Sequence, residues 1–126
     1  QDMTWAALTE RRANRAPVAQ GGWNMFHTWW LAADVMDPTS IVFSGDPATG
    51  WYGWPNDPVL EGLRADYARA ATAADKKQVA LKVQQRIADT GVLGILGQFF
   101  EPVAYSSKVM GITTPIQFYW NMSLDK

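Results

Sequence analysis

Between Ala16 and Gly45 the only formally charged residues are Asp34 and Asp37, which follow directly on Trp23, Phe26, Trp29 and Trp30. A carboxylate in an aromatic, charge-poor segment is costly to bury without a partner. Its chemistry is therefore either local, capping free backbone N–H groups, or directed outward to a cationic or hydrogen-bonding ligand. Asp37 has a local task. It stands before Pro38, Thr39 and Ser40, an order that predicts a helix start with Asp as the N-cap and Pro at the first helical position. Asp34 has no such task and is the candidate ligand acid.

Other chemistry finds little support. His27 is the sole histidine and cysteine is absent, which removes thiolate sites, disulfides and multi-histidine metal centres. His27 reads as a packed strand residue, because nothing positions a serine and an acid around it. Asp34 and Glu101 are the one carboxylate pair that could be proposed for glycoside hydrolysis, and nothing in their spacing sets them across one cleft. No glycine-rich phosphate loop and no Gly-x-Ser-x-Gly elbow occurs. The expectation is a protein that binds without catalysis and needs no cofactor or metal.

The elements that would position these residues follow from periodicity and punctuation. Asp2–Arg15 reads as a short amphipathic helix, with Trp5 and Leu8 on one face and Arg11, Arg12 and Arg15 as a solvated basic end. A Pro/Gly connector leads to Trp23–Trp30, a predicted strand with bulky residues on both faces. Trp29 and Trp30 then point to opposite sides. Residues 45–56 form a loop dense in Gly, Pro and Trp, the kind that often carries recognition. Asp57-Pro58 repeats the helix-start signature and opens a helix to about Ala71. Thr72 or Asp75 opens another, with Val79, Val83 and Ile87 as its apolar stripe and Gly91 as its stop. Val92–Gln98, Val103–Tyr105 and Ile116–Ser123 read as strands. The predicted class is mixed α/β, in the order α, β, α, α, α, β, β, β.

Composition bounds the partners. The chain has 126 residues, a formal net charge of −1, 48% hydrophobic and 18% charged residues, so it offers one modest core and no electrostatic case for nucleic acid. Glu61 to Asp89 hold ten of the 23 charged residues, which fits two surface helices. Seven tryptophans are many for this length, and Trp is enriched at binding surfaces. One reading is an aromatic-rich carbohydrate-binding or protein-interaction module, with Trp29, Trp30, Trp51 and Trp54 as a stacking platform.

A second reading comes from motif order. The run GGWN-x-F-x-x-WW, AD-x-x-DPTS, GW-x-x-DP-x-x-E-x-L, then a charged helix pair, GQFFEPVAY, VMGI and a terminal FYWN resembles the C-terminal part of family 5 extracellular solute-binding proteins. These are the peptide, nickel and opine-type binding components of ABC importers. The resemblance implies a fragment of a two-lobed periplasmic binding protein of type II fold, found in the periplasm or outside the cell. It implies that residues 1–96 belong to the second lobe and that 97–126 cross the hinge and return to the first. It further implies a small-molecule or peptide ligand, permease subunits as partners, and an N-terminal portion of the same protein that lies outside this chain.

In oligopeptide binders of that family an Asp shortly before such a Pro-Thr-Ser helix start holds the ligand's ammonium. Aligned on Asp37 to Ser40, that acid falls on Asp34. Trp30 stands one place earlier than in the family pattern, which leaves other cationic or polar ligands open. The implied ligand-binding set is Asp34, Trp29, Trp30 and Leu31, with Gln98 and Phe99 on the hinge side. The fragment alone is expected to bind weakly and to self-associate through uncovered apolar surface.

Overall fold

The structure, a computed structural model, describes residues 1–113 and 119–125. They divide into two compact units, Gln1–Gly94 and Ile95–Lys126. The described elements are helical segments and one two-stranded sheet, so the mixed α/β class holds in that broad sense.

In the first unit, helix α1 spans Trp5–Arg11. Thr4 caps it, accepting from the Ala7 amide at 3.3 Å. The helix stops short of the predicted Arg15. Asn14 accepts from the Ala16 amide through its own side chain, a local bond that competes with the helical pattern.

Helices α2 (Pro58–Arg69) and α3 (Ala73–Thr90) form as read and pack on each other. Asp57 is the N-cap of α2, accepting from the Leu60 amide at 3.1 Å, with Pro58 at the first position. Thr72 caps α3 by accepting from the Asp75 amide. Gly91 ends it in the left-handed conformation at φ 65°, which a side chain would strain. Leu60 and Val83 are almost fully buried between the helices, and Val42 completes the set of buried apolar residues among the described ones.

Two acids, Asp57 and Glu61, tie this hairpin together and to the preceding loop. The buried Asp57 carboxylate takes both Nε and Nη2 of Arg86, at 2.8 and 3.1 Å. That pairing, with the Leu60 amide adding to it, outweighs desolvation and holds Asp57 below the usual carboxylate range. Glu61 accepts from the Gly45 amide, Ser44 Oγ and Arg64 Nη1. Desolvation is the largest single influence on Glu61 and pushes it up, but these donors together bring it below its ordinary value. Gly45 is held on both sides, its carbonyl accepting from the Asp57 amide at 2.8 Å. A Cβ there would lie 2.6 Å from the Asp57 carbonyl oxygen, so only glycine fits.

Four expected elements are corrected. Asp37 does not open an α-helix. Its carboxylate closes a tight turn, accepting from the Thr39 amide at 2.8 Å and from Thr39 Oγ1 at 2.7 Å, and only a 3-10 turn, Ile41–Phe43, follows. Arg64 donates to the carbonyls of Pro38, Thr39 and Ser40 and so competes with backbone amides for these acceptors. Among the described residues only Ser40 of the three also accepts from an amide, that of Phe43. Trp23–Trp30 is not a strand either, because no described segment pairs with its backbone. Its alternation predicted cover on both faces, but Asn24, Met25, His27 and Trp29 are exposed. His27 is therefore not the packed strand residue expected, and rings shield only Trp23, Phe26 and Trp30 in part. Val92–Gln98 and Val103–Tyr105 likewise lack a ladder, and from Ile95 to Ser107 no amide donates a hydrogen bond among the described residues.

The second unit contains one short antiparallel ladder, β1 (Val109–Met110) with β2 (Ser123–Leu124), in register Val109 opposite Leu124. The predicted strand Ile116–Ser123 falls partly outside the described residues. Its described part is a 3-10 turn, Tyr119–Asn121, followed by the start of β2.

Candidate functional site

Five rings close a circuit in the first unit. Trp23 meets Phe26 edge-on with centroids 4.7 Å apart, Phe26 meets Trp51 at 5.6 Å, and Trp51 meets Tyr52 at 5.2 Å. Tyr52 meets Trp54 at 6.3 Å, and Trp54 returns to Trp23 at 6.1 Å. These are the offset and edge-to-face arrangements that the ring quadrupole favours. The circuit joins the 23–30 segment to the Gly/Pro-rich loop. Trp23 Nε1 also donates to the Arg12 carbonyl at 3.0 Å, fixing the circuit to the end of α1.

The basic end of α1 is solvated only in part: Arg15 is exposed, whereas Arg11 and Arg12 are half-buried. The Arg12 guanidinium carbon lies 4.7 Å from the Tyr52 ring, 5.3 Å from Trp51 and 5.5 Å from Trp5. Arg15 lies 4.3 Å over Trp54. Arg11 donates to the Gly22 carbonyl. None of the three pairs with a carboxylate among the described residues. Spacing alone suggested arginines suited to a helix dipole. The signal that could have revealed the role of Arg12 and Arg15 is that the segments following them are rich in aromatic residues and hold few acids.

Trp54 carries the one positive φ outside glycine among the described residues, 46°. Such a backbone costs on the order of 1–2 kcal/mol and persists only where its surroundings fix it. Trp23, Tyr52 and Arg15 hold the Trp54 ring from three directions.

The candidate ligand residues lie at the margin of this circuit. Trp30 meets Trp51 edge-on at 5.0 Å, and its indole Nε1 is enclosed without an acceptor. Trp29 stacks on Trp5 at 6.2 Å with 27° between planes and remains about half exposed. Leu31 is exposed. Asp34 sits in the 3-10 turn Ala32–Val35 and is exposed, so it bears no burial cost on this unit. Its carboxylate makes no hydrogen bond or ion pair among the described residues, whereas Asp37 is satisfied by Thr39 and held below its usual range chiefly by that backbone amide. Trp29 and Trp30 thus lie against other rings, while the Leu31 and Asp34 side chains that follow them in sequence are exposed. Gln98 and Phe99 belong to the second unit, where both are exposed. A depression of about 280 Å³ lies between α1 and the Trp23–Phe26 segment, and Asp34 does not line it.

The described residues contain no group of three or more His, Asp or Glu placed to hold a metal. No helix among them is long and apolar enough to cross a membrane.

No protein-family model matches the chain. Comparison with characterised sequences finds a probable peptide ABC transporter periplasmic-binding protein of Sinorhizobium fredii, 34% identical over 122 residues. The alignment takes in 94% of this chain but only 23% of that protein, so the chain spans less than a quarter of its relative's length. Along nearly all of its own length, then, the chain is similar to one portion of a periplasmic solute-binding protein of an ABC importer, as its motif order indicates.

Proposed function

We propose that the chain is the C-terminal portion of a solute-binding protein that captures a peptide-like or other small cationic solute in the periplasm and delivers it to an ABC permease. The observation that carries this reading is the alignment with a peptide transporter's binding protein over 94% of the chain. Geometry supports it at one point: Asp34 is an acid with no partner among the described residues, next to Trp29 and Trp30. Asp34 accepts hydrogen bonds from the solute's ammonium. Lobe closure excludes water and strengthens that charge-assisted bond, since a Coulomb attraction grows as the local dielectric falls. The reading contains no catalytic step.

A stacking platform for sugars is less well supported by the ring geometry. Trp51 meets Phe26, Trp30, Tyr52 and Arg12, and Trp54 meets Trp23, Tyr52 and Arg15, so both rings are already engaged within the unit and each is partly buried.

The test is calorimetric titration of the full-length protein with a tripeptide and with its N-acetylated form. Asp34→Asn should weaken binding of the free-amine peptide by roughly 10- to 100-fold, the range expected on losing one partner of a charge-assisted bond. The acetylated peptide should bind poorly to both proteins. Equal affinity of the wild-type protein and the Asp34→Asn variant for the free amine would remove Asp34 from the site.

A further inference from the structure

We infer that Arg12 is a positioning residue for the ligand segment, acting through two separate rings. The inference rests on the reading of Asp34 as the solute anchor. Arg12 has no carboxylate partner among the described residues, and its Nε is enclosed without an acceptor. The guanidinium is therefore engaged by π faces rather than by an anion. Its three rings are not equivalent in what they touch next. Trp5 is the ring on which Trp29 stacks, and Trp51 is the ring against which Trp30 lies. Both tryptophans that lead into Asp34 thus rest on rings that share one cation.

This arrangement answers a difficulty in the segment itself. Trp23–Trp30 has no strand partner among the described residues, so no ladder fixes its register or the direction of its side chains. Rings and one flat cation must do so. A guanidinium suits the task because its plane can lie along several aromatic faces at once, which an ammonium cannot reproduce. Arg15 provides the internal contrast. It lies over Trp54, which meets Trp23 and Tyr52 but neither Trp29 nor Trp30. Loss of either arginine removes a cation–π contact from the same unit, and only the loss of Arg12 frees the rings on which Trp29 and Trp30 rest.

The experiment uses the full-length protein and its Arg12→Met, Arg15→Met and Asp34→Asn variants, each held below its own melting temperature. The probes are an equimolar tripeptide mixture and the same mixture N-acetylated, with retained peptide quantified by mass spectrometry and affinity by titration. Near-ultraviolet circular dichroism reads the tryptophan packing. Arg12→Met should weaken retention of free-amine tripeptides about tenfold, the scale of one well-shielded cation–π contact. It should also change the tryptophan bands. Arg15→Met should leave affinity within about twofold of wild type, since its ring touches neither tryptophan of the ligand segment. If retention depends on Asp34 but not on Arg12, or if Arg12→Met and Arg15→Met weaken it equally, the positioning role fails while the site reading stands. If wild type retains no tripeptide, or retains free and acetylated mixtures alike, the site reading fails and takes this role with it.

Discussion

At the scale of single residues, acids of similar sequence context have separate fates. Asp37 and Asp57 both precede a proline, yet one closes a turn and the other caps a helix and holds Arg86. Substitutions at Asp57 separate its two tasks. Asparagine can still cap α2 but cannot pair ionically, so Asp57→Asn should cost about 1–2 kcal/mol in urea denaturation at neutral pH. Asp57→Ala loses both tasks and should cost about 2–3 kcal/mol. The larger penalty of an abandoned buried charge is not reached, because the Arg86 side chain is 37% exposed and can hydrate. The pH dependence has a definite sign. Asp57 and Glu61 both titrate below their ordinary values when folded, so the unfolded chain binds more protons between the two pKa values. Their stabilisation is complete above about pH 5 and is lost as pH falls through the folded values. Denaturation midpoints measured from about pH 6 downward should therefore drop, and Asp57→Asn should flatten the drop. A midpoint that rises on acidification would contradict the linkage. Asp34 was legible as the acid without a local bond, since that follows from its neighbours alone. Arg12 was not legible, since two of its three rings, Trp51 and Tyr52, lie in a loop far along the sequence.

At the scale of elements, the helix hairpin is where sequence and structure agree most closely. Its caps, its Pro at the first turn, its stripe at Val83 and its glycine stop are all local or one-turn signals. The two faces of α2 should separate cleanly on mutation. Leu60 is 1% exposed against α3, so Leu60→Ala should destabilise by about 2–4 kcal/mol through lost transfer energy and a residual cavity. Its neighbour Val59 is 55% exposed, so Val59→Ala should stay within about 0.5 kcal/mol. Urea denaturation followed by helical circular dichroism checks both, and comparable losses at the two positions would mean the hairpin packs differently. The strands read less well for a physical reason. A helix satisfies its own backbone, so its signals are enclosed in its sequence. A strand needs a partner, and alternation reports only that two faces are covered. In Trp23–Trp30 rings from other segments meet Trp23, Phe26, Trp29 and Trp30, Met25 and His27 stay exposed, and no ladder forms. In Val92–Gln98 the apolar run meets no partner among the described residues, and Ile95 and Leu96 stay almost wholly exposed.

At the scale of the whole molecule, the buried apolar residues among the described ones are Val42, Leu60 and Val83, all in the first unit. The second unit has no described apolar side chain that is buried, and its ladder is two residues long on each strand. A two-stranded ribbon is marginal in water even at greater length, because its few hydrogen bonds do not offset the ordering entropy of the chain. The amides from Ile95 to Ser107 donate no hydrogen bond among the described residues, so nothing described here slows their exchange. The proposed reading supplies what is missing, since the relative is more than four times the aligned length and its remainder offers surface to pack against. Hydrogen exchange on the chain by itself and within the full-length protein tests this directly. In the isolated chain, amides in the middle of α2 and α3 should be protected while residues 95–107 exchange at the rate of an unfolded peptide. In the full-length protein the same residues should slow by about 100-fold or more, as backbone groups paired in a folded lobe do. The outcome that would sink this view is equal, fast exchange of residues 95–107 in both, because the proposed return of the chain to the first lobe requires its amides to find acceptors there.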